Sequence, residues 1–149
     1  MIQVQANIIL AQEDDFDWIY QLHGKNTKLL GAPYPAAIRQ DLYKGHILTT
    51  DDKLGFCQFT PPKRNFYTTV HIICTKDEAR GKHIASQFVE YLCKTYEMPV
   101  RAVCETDTLS EKFWSSQGAK IGEKQSKKGT PLSIYEVGEN VKSKNKISL

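Results

Sequence analysis

The chain has 149 residues, a formal net charge of +3, 40% hydrophobic residues and 25% charged residues. That length lets a chain bury a core without disulfide staples, and that composition excludes collagenous, low-complexity and wholly disordered classes. No apolar run approaches the roughly 18 residues of a membrane-spanning helix, and no basic-then-apolar leader pattern is present, so no membrane partner and a cytoplasmic location are expected.

Alternating Ile2, Val4, Ala6, Ile8 and Leu10 predict a first strand, Ile2–Leu10. Acidic Glu13–Asp15 suits the start of a helix, which carries Phe16, Ile19, Tyr20 and His23 at helical spacing and ends at Gly24. Lys25–Pro35 reads as a loop, and Pro35 fits the first turn of a helix Ala36–Lys44 closed by Gly45. His46–Thr50 and Leu54–Phe59 form a hairpin stopped by Pro61 and Pro62. Phe66–Cys74, rich in aromatic and β-branched residues, is a strand. After a polar turn, Thr75–Ala79, the stretch Arg80–Glu97 is an amphipathic helix: Ile84, Phe88 and Leu92 step by four, with Val89 and Tyr96 beside them. Val100–Glu105 is a strand, and Thr108-x-x-Glu111 is a capping box opening a helix to Gln117. Ala119–Glu123 and Leu132–Val137 are the last strands. This order predicts an α/β fold: a mixed sheet of six to seven strands flanked by about four helices. Residues 1–137 are expected to form one domain, and 138–149 a polar, mobile tail.

Cys57, Cys74, Cys93 and Cys104 are separated by 17, 19 and 11 residues, with no C-x-x-C pair, so reduced thiols and no metal site are expected. The lysines of 138–149 carry two of the three net positive charges. The body therefore does not require a nucleic-acid partner, although Lys120, Lys124, Lys127 and Lys128 could form a local basic patch.

The segment that carries chemistry is Arg80-Gly81-Lys82-His83-Ile84-Ala85, between a strong strand and an amphipathic helix. Helix-start N–H groups lack intrahelical acceptors and the helix dipole favours anions there. With Gly81 allowing close approach and Arg80 and Lys82 adding charge, the segment suits a pyrophosphate or phosphate. It is neither a Walker loop nor a G-x-G-x-x-G fingerprint.

On these residues the chain resembles the GNAT superfamily of acyl-CoA N-acyltransferases. The strand–helix signature R/Q-x-x-G-x-G/A is matched by Arg80-x-x-His83-x-Ala85, with His83 at the middle glycine, and Phe113-Trp114-x-x-x-Gly118-Ala119 matches a second signature. The segment from Leu30 to Phe56 more loosely resembles small phage-encoded members. The resemblance implies acetyl-CoA as co-substrate, lying in a splay between the Phe66–Cys74 and Val100–Glu105 strands. It implies that Gly81 to Ala85 (Lys82, His83 and Ile84 included) hold the pyrophosphate, Arg80 lending charge. Backbone groups of Ile73, Cys74 and Thr75 would take the pantetheine arm and the oxyanion, and Lys82 or Lys112 the adenosine phosphate. Asp107 stands where many relatives have Asn.

The implied reaction is transfer of an acetyl group to a primary amine by direct attack in a ternary complex. The amine must lose a proton, because free alkyl amines are protonated at neutral pH. Many relatives use a Glu on the central strand, where this chain has Thr69. His71 shares its strand face and is the candidate base, with Glu105 second. Where relatives have a Tyr beside the leaving sulfur, this chain has Trp114; Ser115, Ser116 and Tyr135 are the substitutes. Two other readings stay open: a phage-type enzyme modifying DNA bases, with Tyr34, Tyr43, Phe66 and Tyr67 as a base pocket, and a CoA-binding member without catalysis. The acceptor is a small molecule, a protein lysine or a modified base, and the chain a monomer or homodimer.

Overall fold

Alternation sets the first strand, of which the described part is β1, Ile8–Leu10, joined antiparallel to Leu48–Thr50. The structure, a computed structural model, describes residues 5–138, so Ile2 and Val4 of the expected strand and residues 139–149 of the expected tail lie outside the described residues. The further elements are α1 (Phe16–Gly24), α2 (Thr27–Leu30), α3 (Pro35–Lys44), β2 (Ile47–Thr50), β3 (Gly55–Thr60), β4 (Thr68–Thr75), α4 (Ile84–Tyr96), β5 (Val100–Glu105), α5 (Leu109–Gln117), β6 (Ala119–Gln125) and β7 (Pro131–Val137). The strands form one seven-stranded sheet in the order β1-β2-β3-β4-β5-β7-β6. β4 and β5 run parallel, whereas β1–β2, β2–β3, β5–β7 and β6–β7 are antiparallel, so the sheet is mixed as expected.

Three expectations shift. Lys25–Pro35 contains the single turn α2, which closes where the carbonyl of its first residue, Thr27, accepts from Gly31 N–H at 2.8 Å. β4 starts at Thr68 rather than Phe66, because Phe66 takes a left-handed φ of 61° that no strand residue adopts. α4 starts at Ile84 rather than Arg80: a 3₁₀ turn over Asp77–Ala79 and left-handed φ at Gly81 and His83 come between.

The chain divides into two compact units: residues up to Thr60 with Ile72–Phe88, and Pro61–His71 with residues from Val89 onward. In the first, Ile19 and Leu22 of α1 and Ile38 and Leu42 of α3 pack with Ala11, Ile47, Phe56 and Cys74. Asp15 fixes the entry to α1. Its carboxylate accepts from Gln12 N–H and Trp18 Nε1–H, both at 2.7 Å, and lies 3.5 Å from Lys53 Nζ. Burial alone would raise the Asp15 carboxyl, but these donors outweigh it and hold it below its ordinary value. Pro35 at the first turn and Gly45 in the left-handed region bracket α3 as the sequence implies.

In the second unit the even-numbered residues Val100, Ala102 and Cys104 are buried and pair with Val137, Tyr135 and Ser133 of β7, whereas Arg101, Val103 and Glu105 point to the more open face. α5 ends at Gly118, where a Cβ would collide with the Glu136 carbonyl oxygen and come within 2.7 Å of Val137 Cγ2. Gly118→Ala is therefore expected to destabilise the fold by about 1–3 kcal/mol, as overpacking against backbone does, which the urea midpoint measured at constant m-value reports.

Candidate acyl-donor site

The strand leading to the site is β4. Cys74 is buried and turned into the core, its Sγ 3.3 Å from Asn26 Nδ2 and 3.9 Å from the Leu22 carbonyl, and burial pushes its thiol up to about 11. A thiol so protonated is a packing group rather than a nucleophile. Its neighbours Ile73 and Thr75 are half-buried, with side chains on the opposite side of the strand.

The turn after β4 is built by its backbone. Lys82 N–H donates to Ala79 O at 3.1 Å, which commits one of the amides expected for the anion to the turn itself. Gly81 has φ 82° and His83 φ 57°, and a Cβ added at Gly81 would meet nothing within 4 Å. The family glycine that His83 replaces thus falls at a left-handed position, where glycine is the unstrained choice and His adopts the conformation at a cost. Arg80, Gly81, Lys82 and His83 are exposed, Ile84 is buried and Ala85 half-buried. Arg80 meets Asp77 at 3.4 Å with both side chains largely in solvent, a contact weak enough for an anion to displace. Open space over Gly81, two exposed cations and a following helix of 13 residues suit a pyrophosphate.

The second unit holds the candidate bases. The parallel ladder pairs Thr68 with Val100, Thr69 with Arg101 and Val70 with Ala102. Thr69 and Arg101 therefore share a face, and His71, Val103 and Glu105 follow on that face by alternation. His71 and Glu105 are both exposed there. The last pair of the ladder is Val70 with Ala102, and Glu105 lies about 7 Å along its strand from Val103. Arg101 stacks 4.2 Å over Tyr67 and pairs with Glu136 at 2.8 Å.

The other sheet face carries α5 and a cleft of about 420 Å³ lined by Asp107, Thr108, Glu111, Lys112, Ser115 and Tyr135. The expected capping box forms by half: Thr108 Oγ1 accepts from Glu111 N–H at 3.3 Å, but Glu111 Oε1 accepts from Asp107 N–H at 2.8 Å instead of from Thr108. Asp107 sits at φ 64°, a conformation short polar side chains tolerate. Glu111 Oε2 accepts from Tyr135 OH at 3.1 Å and lies 4.0 Å from Lys120 Nζ. The Ser133 hydroxyl first, then Asp107 N–H, with Tyr135 and Lys120, hold the Glu111 carboxyl below its ordinary value, whereas burial and then Glu111 raise the Tyr135 phenol. Ser115 and Ser116 donate to the carbonyls of Lys112 and Phe113, and Trp114 is buried against Phe113. Lys120 also pairs with Glu123 at 2.9 Å, which tempers the basic patch expected around it. Tyr34 and Tyr43 are exposed in the first unit, while Phe66 and Tyr67 belong to the second. Among the described residues no helix is long and apolar enough to cross a membrane, and no group of three or more His, Cys, Asp or Glu could hold a metal ion.

Gln87 is a residue that sequence reasoning missed. It is 5% exposed, inside the apolar stripe of α4, and joined to the Lys82 carbonyl. A glutamine among Ile84, Phe88 and Leu92 was the available signal.

Because the folded Glu111 carboxyl is depressed, its stabilisation is complete above the ordinary carboxylate range and is lost as pH falls through the folded value. The urea midpoint of the native chain is expected to drop on acidification below about pH 4.5, and that of Glu111→Gln to drop less over the same range.

No family model and no curated protein matches the sequence. Solved structures do. A GNAT-family acetyltransferase from Bacillus cereus ATCC 10987 matches with a TM-score of 0.71 at 15% identity, over 91% of this chain and 98% of that one. An N-acetyltransferase from Staphylococcus aureus Mu50 matches at 0.64 and 19% identity, over 91% and 99%. N-acetylglutamate synthase from Neisseria gonorrhoeae, complexed with coenzyme A and N-acetyl-glutamate, matches at 0.72 and 10% identity, over 91% of this chain and 35% of that longer one. With its mixed seven-stranded sheet and flanking helices, the chain has the fold of the GNAT-family acetyltransferases.

Proposed function

We propose that the chain is an acyl-CoA-dependent N-acyltransferase, using acetyl-CoA to acetylate a primary amine. The observation that carries this reading is the turn Ala79–Ile84, with left-handed backbone at Gly81 and His83, at the start of α4 in a GNAT fold. Backbone amides of Gly81, His83, Ile84 and Ala85 would hold the pyrophosphate, with Arg80 and Lys82 adding charge. Ile73 and Thr75 would offer backbone groups to the pantetheine arm in the manner of an added strand, and an N–H at Ile73 or Cys74 would receive the developing oxyanion.

In the proposed step the neutral amine attacks the thioester carbonyl. The N–C bond forms, the C–S bond breaks, and the amine proton passes to His71 through a water. Glu105, exposed on the same sheet face, is the second acceptor for that proton. The thiolate leaves without an obligatory acid, because thiols ionise near pH ~8.5. The acceptor is an amine-bearing small molecule or side chain.

Calorimetry with acetyl-CoA tests the binding part. Saturation with Kd below ~100 μM is expected, equivalent to about −5.5 kcal/mol, and Gly81→Asp should abolish it by setting a carboxylate against the pyrophosphate. A thiol-release assay across polyamines, amino acids and peptides tests the transfer. Binding without turnover on any amine would leave a CoA-binding protein rather than an enzyme. With an active amine found, His71→Ala should lower kcat by ~10²–10⁴ with acetyl-CoA affinity unchanged, and more than half of normal turnover would move the role to Glu105 or bulk water.

A further inference from the structure

Gln87 lies on the first turn of α4 and is 5% exposed. Its side-chain amide bridges two backbone groups of different parts of the chain. Oε1 accepts from Ala6 N–H at 2.7 Å, and Nε2 donates to the Lys82 carbonyl at 3.0 Å. The assignment of oxygen and nitrogen is fixed by the partners, since a backbone N–H only donates and a carbonyl only accepts.

The consequence falls on the next amide. The Lys82–His83 peptide is planar and trans, so its C=O and N–H point in opposite directions. Gln87, itself 5% exposed, draws the Lys82 carbonyl inward. The His83 N–H is thereby turned to the outer side, where Arg80, Gly81, Lys82 and the His83 side chain are exposed. The Lys82 N–H cannot take that role, because it donates to Ala79 O. The turn holds two left-handed residues, one of them not glycine, and such a backbone persists only where its surroundings enforce it.

We infer that Gln87 is a positioning residue of the acyl-donor site: it locks the Lys82–His83 peptide so that the His83 amide faces the pyrophosphate of the acyl-CoA. This rests on the acyl-CoA reading above. It adds a residue absent from the signature and extends the support of the site to the segment before β1 through Ala6. Gln87 acts through the backbone and touches no ligand atom.

The test is calorimetry of CoA and of acetyl-pantetheine, which lacks the pyrophosphate, against the full native chain, Gln87→Met and Gln87→Glu. It is paired with the His83 amide resonance followed during titration with inorganic pyrophosphate. Met keeps the volume and removes the hydrogen bonds to Ala6 and Lys82. Glu keeps the acceptor for Ala6 N–H and loses the donor to Lys82 while adding a charge, so if the Met variant does not fold, the Glu variant is compared at several salt concentrations, where a charge effect is screened and a loss of positioning is not. The expected result is about tenfold weaker CoA binding in each folded variant, acetyl-pantetheine binding unchanged, and a pyrophosphate-induced His83 shift that is large in the native chain and reduced in the variants. Unchanged CoA affinity, or equal weakening of CoA and acetyl-pantetheine, would overturn the inference and leave Gln87 as a fold brace. Absence of CoA binding by the native chain would instead remove the acyl-CoA reading beneath it.

Discussion

The backbone between Ala79 and Ile84 constrains everything proposed for this molecule. A helix beginning directly after the 3₁₀ turn would have absorbed the amides of Gly81 and His83 into its first turn as ordinary helix-start donors. Left-handed conformations at both residues delay the helix to Ile84 and leave an open, cationic bend ahead of it. The conformation costs on the order of 1–3 kcal/mol at a residue such as His83, and something must hold it. The Ala79 carbonyl on Lys82 N–H and the Gln87 side chain on the Lys82 carbonyl do so from within the same unit.

That constraint shows which parts of the molecule local chemistry specifies. α3 was legible because Pro35 and Gly45 mark its ends with opposite backbone requirements, and Ile38 and Leu42 supply its buried stripe. The strands β5 and β7 bury alternate residues, although Val103 and Ile134 break the apolar–polar alternation in the sequence itself. The start of α4 was not legible. Arg80, Lys82 and His83 are acceptable helix residues, so nothing short of the hydrogen bonds to Ala79 and Gln87 excludes them from the helix. Phe66 and Tyr67 misled in the same way: their side chains favour strands, but φ at Phe66 is set by the loop it closes. The capping box was read correctly as a helix start, yet its reciprocal arm reaches Asp107, a displacement of one residue that only coordinates reveal.

For the candidate site, the motif singles out the turn Ala79–Ile84 and its cations, and alternation along β4 puts His71 and Thr69 on one face. What sequence spacing could not supply was the relation of residues on different strands. The three-pair parallel ladder places Thr69 beside Arg101 and so assigns His71 and Glu105 to one face. It assigns Tyr135 to the other, because Tyr135 pairs with Ala102, whose side chain points away from that of Arg101.

This division decides between two views of the proton inventory. Tyr135 and Glu111 form a hydrogen-bonded pair with a raised phenol and a lowered carboxyl, the pattern often sought at catalytic centres. Each shift, however, is accounted for by structure. Glu111 joins the Asp107 turn, α5, β6 and β7 through Asp107 N–H, Ser133, Tyr135 and Lys120, and the phenol is raised because it is buried and already donates to a carboxylate. A phenol whose proton is held by a carboxylate is a poor donor to a departing thiolate, and it lies on the sheet face opposite His71 and Glu105. The serines of α5 offer no replacement, since both hydroxyls donate to helix carbonyls. Trp114 is buried and carries no hydroxyl, and the candidate bases His71 and Glu105 stand exposed on the other face. The acyl transfer proposed above needs no such donor, because a thiolate is a weakly basic leaving group, whereas an oxygen ester or an amide as acyl donor would demand a proton for its leaving group.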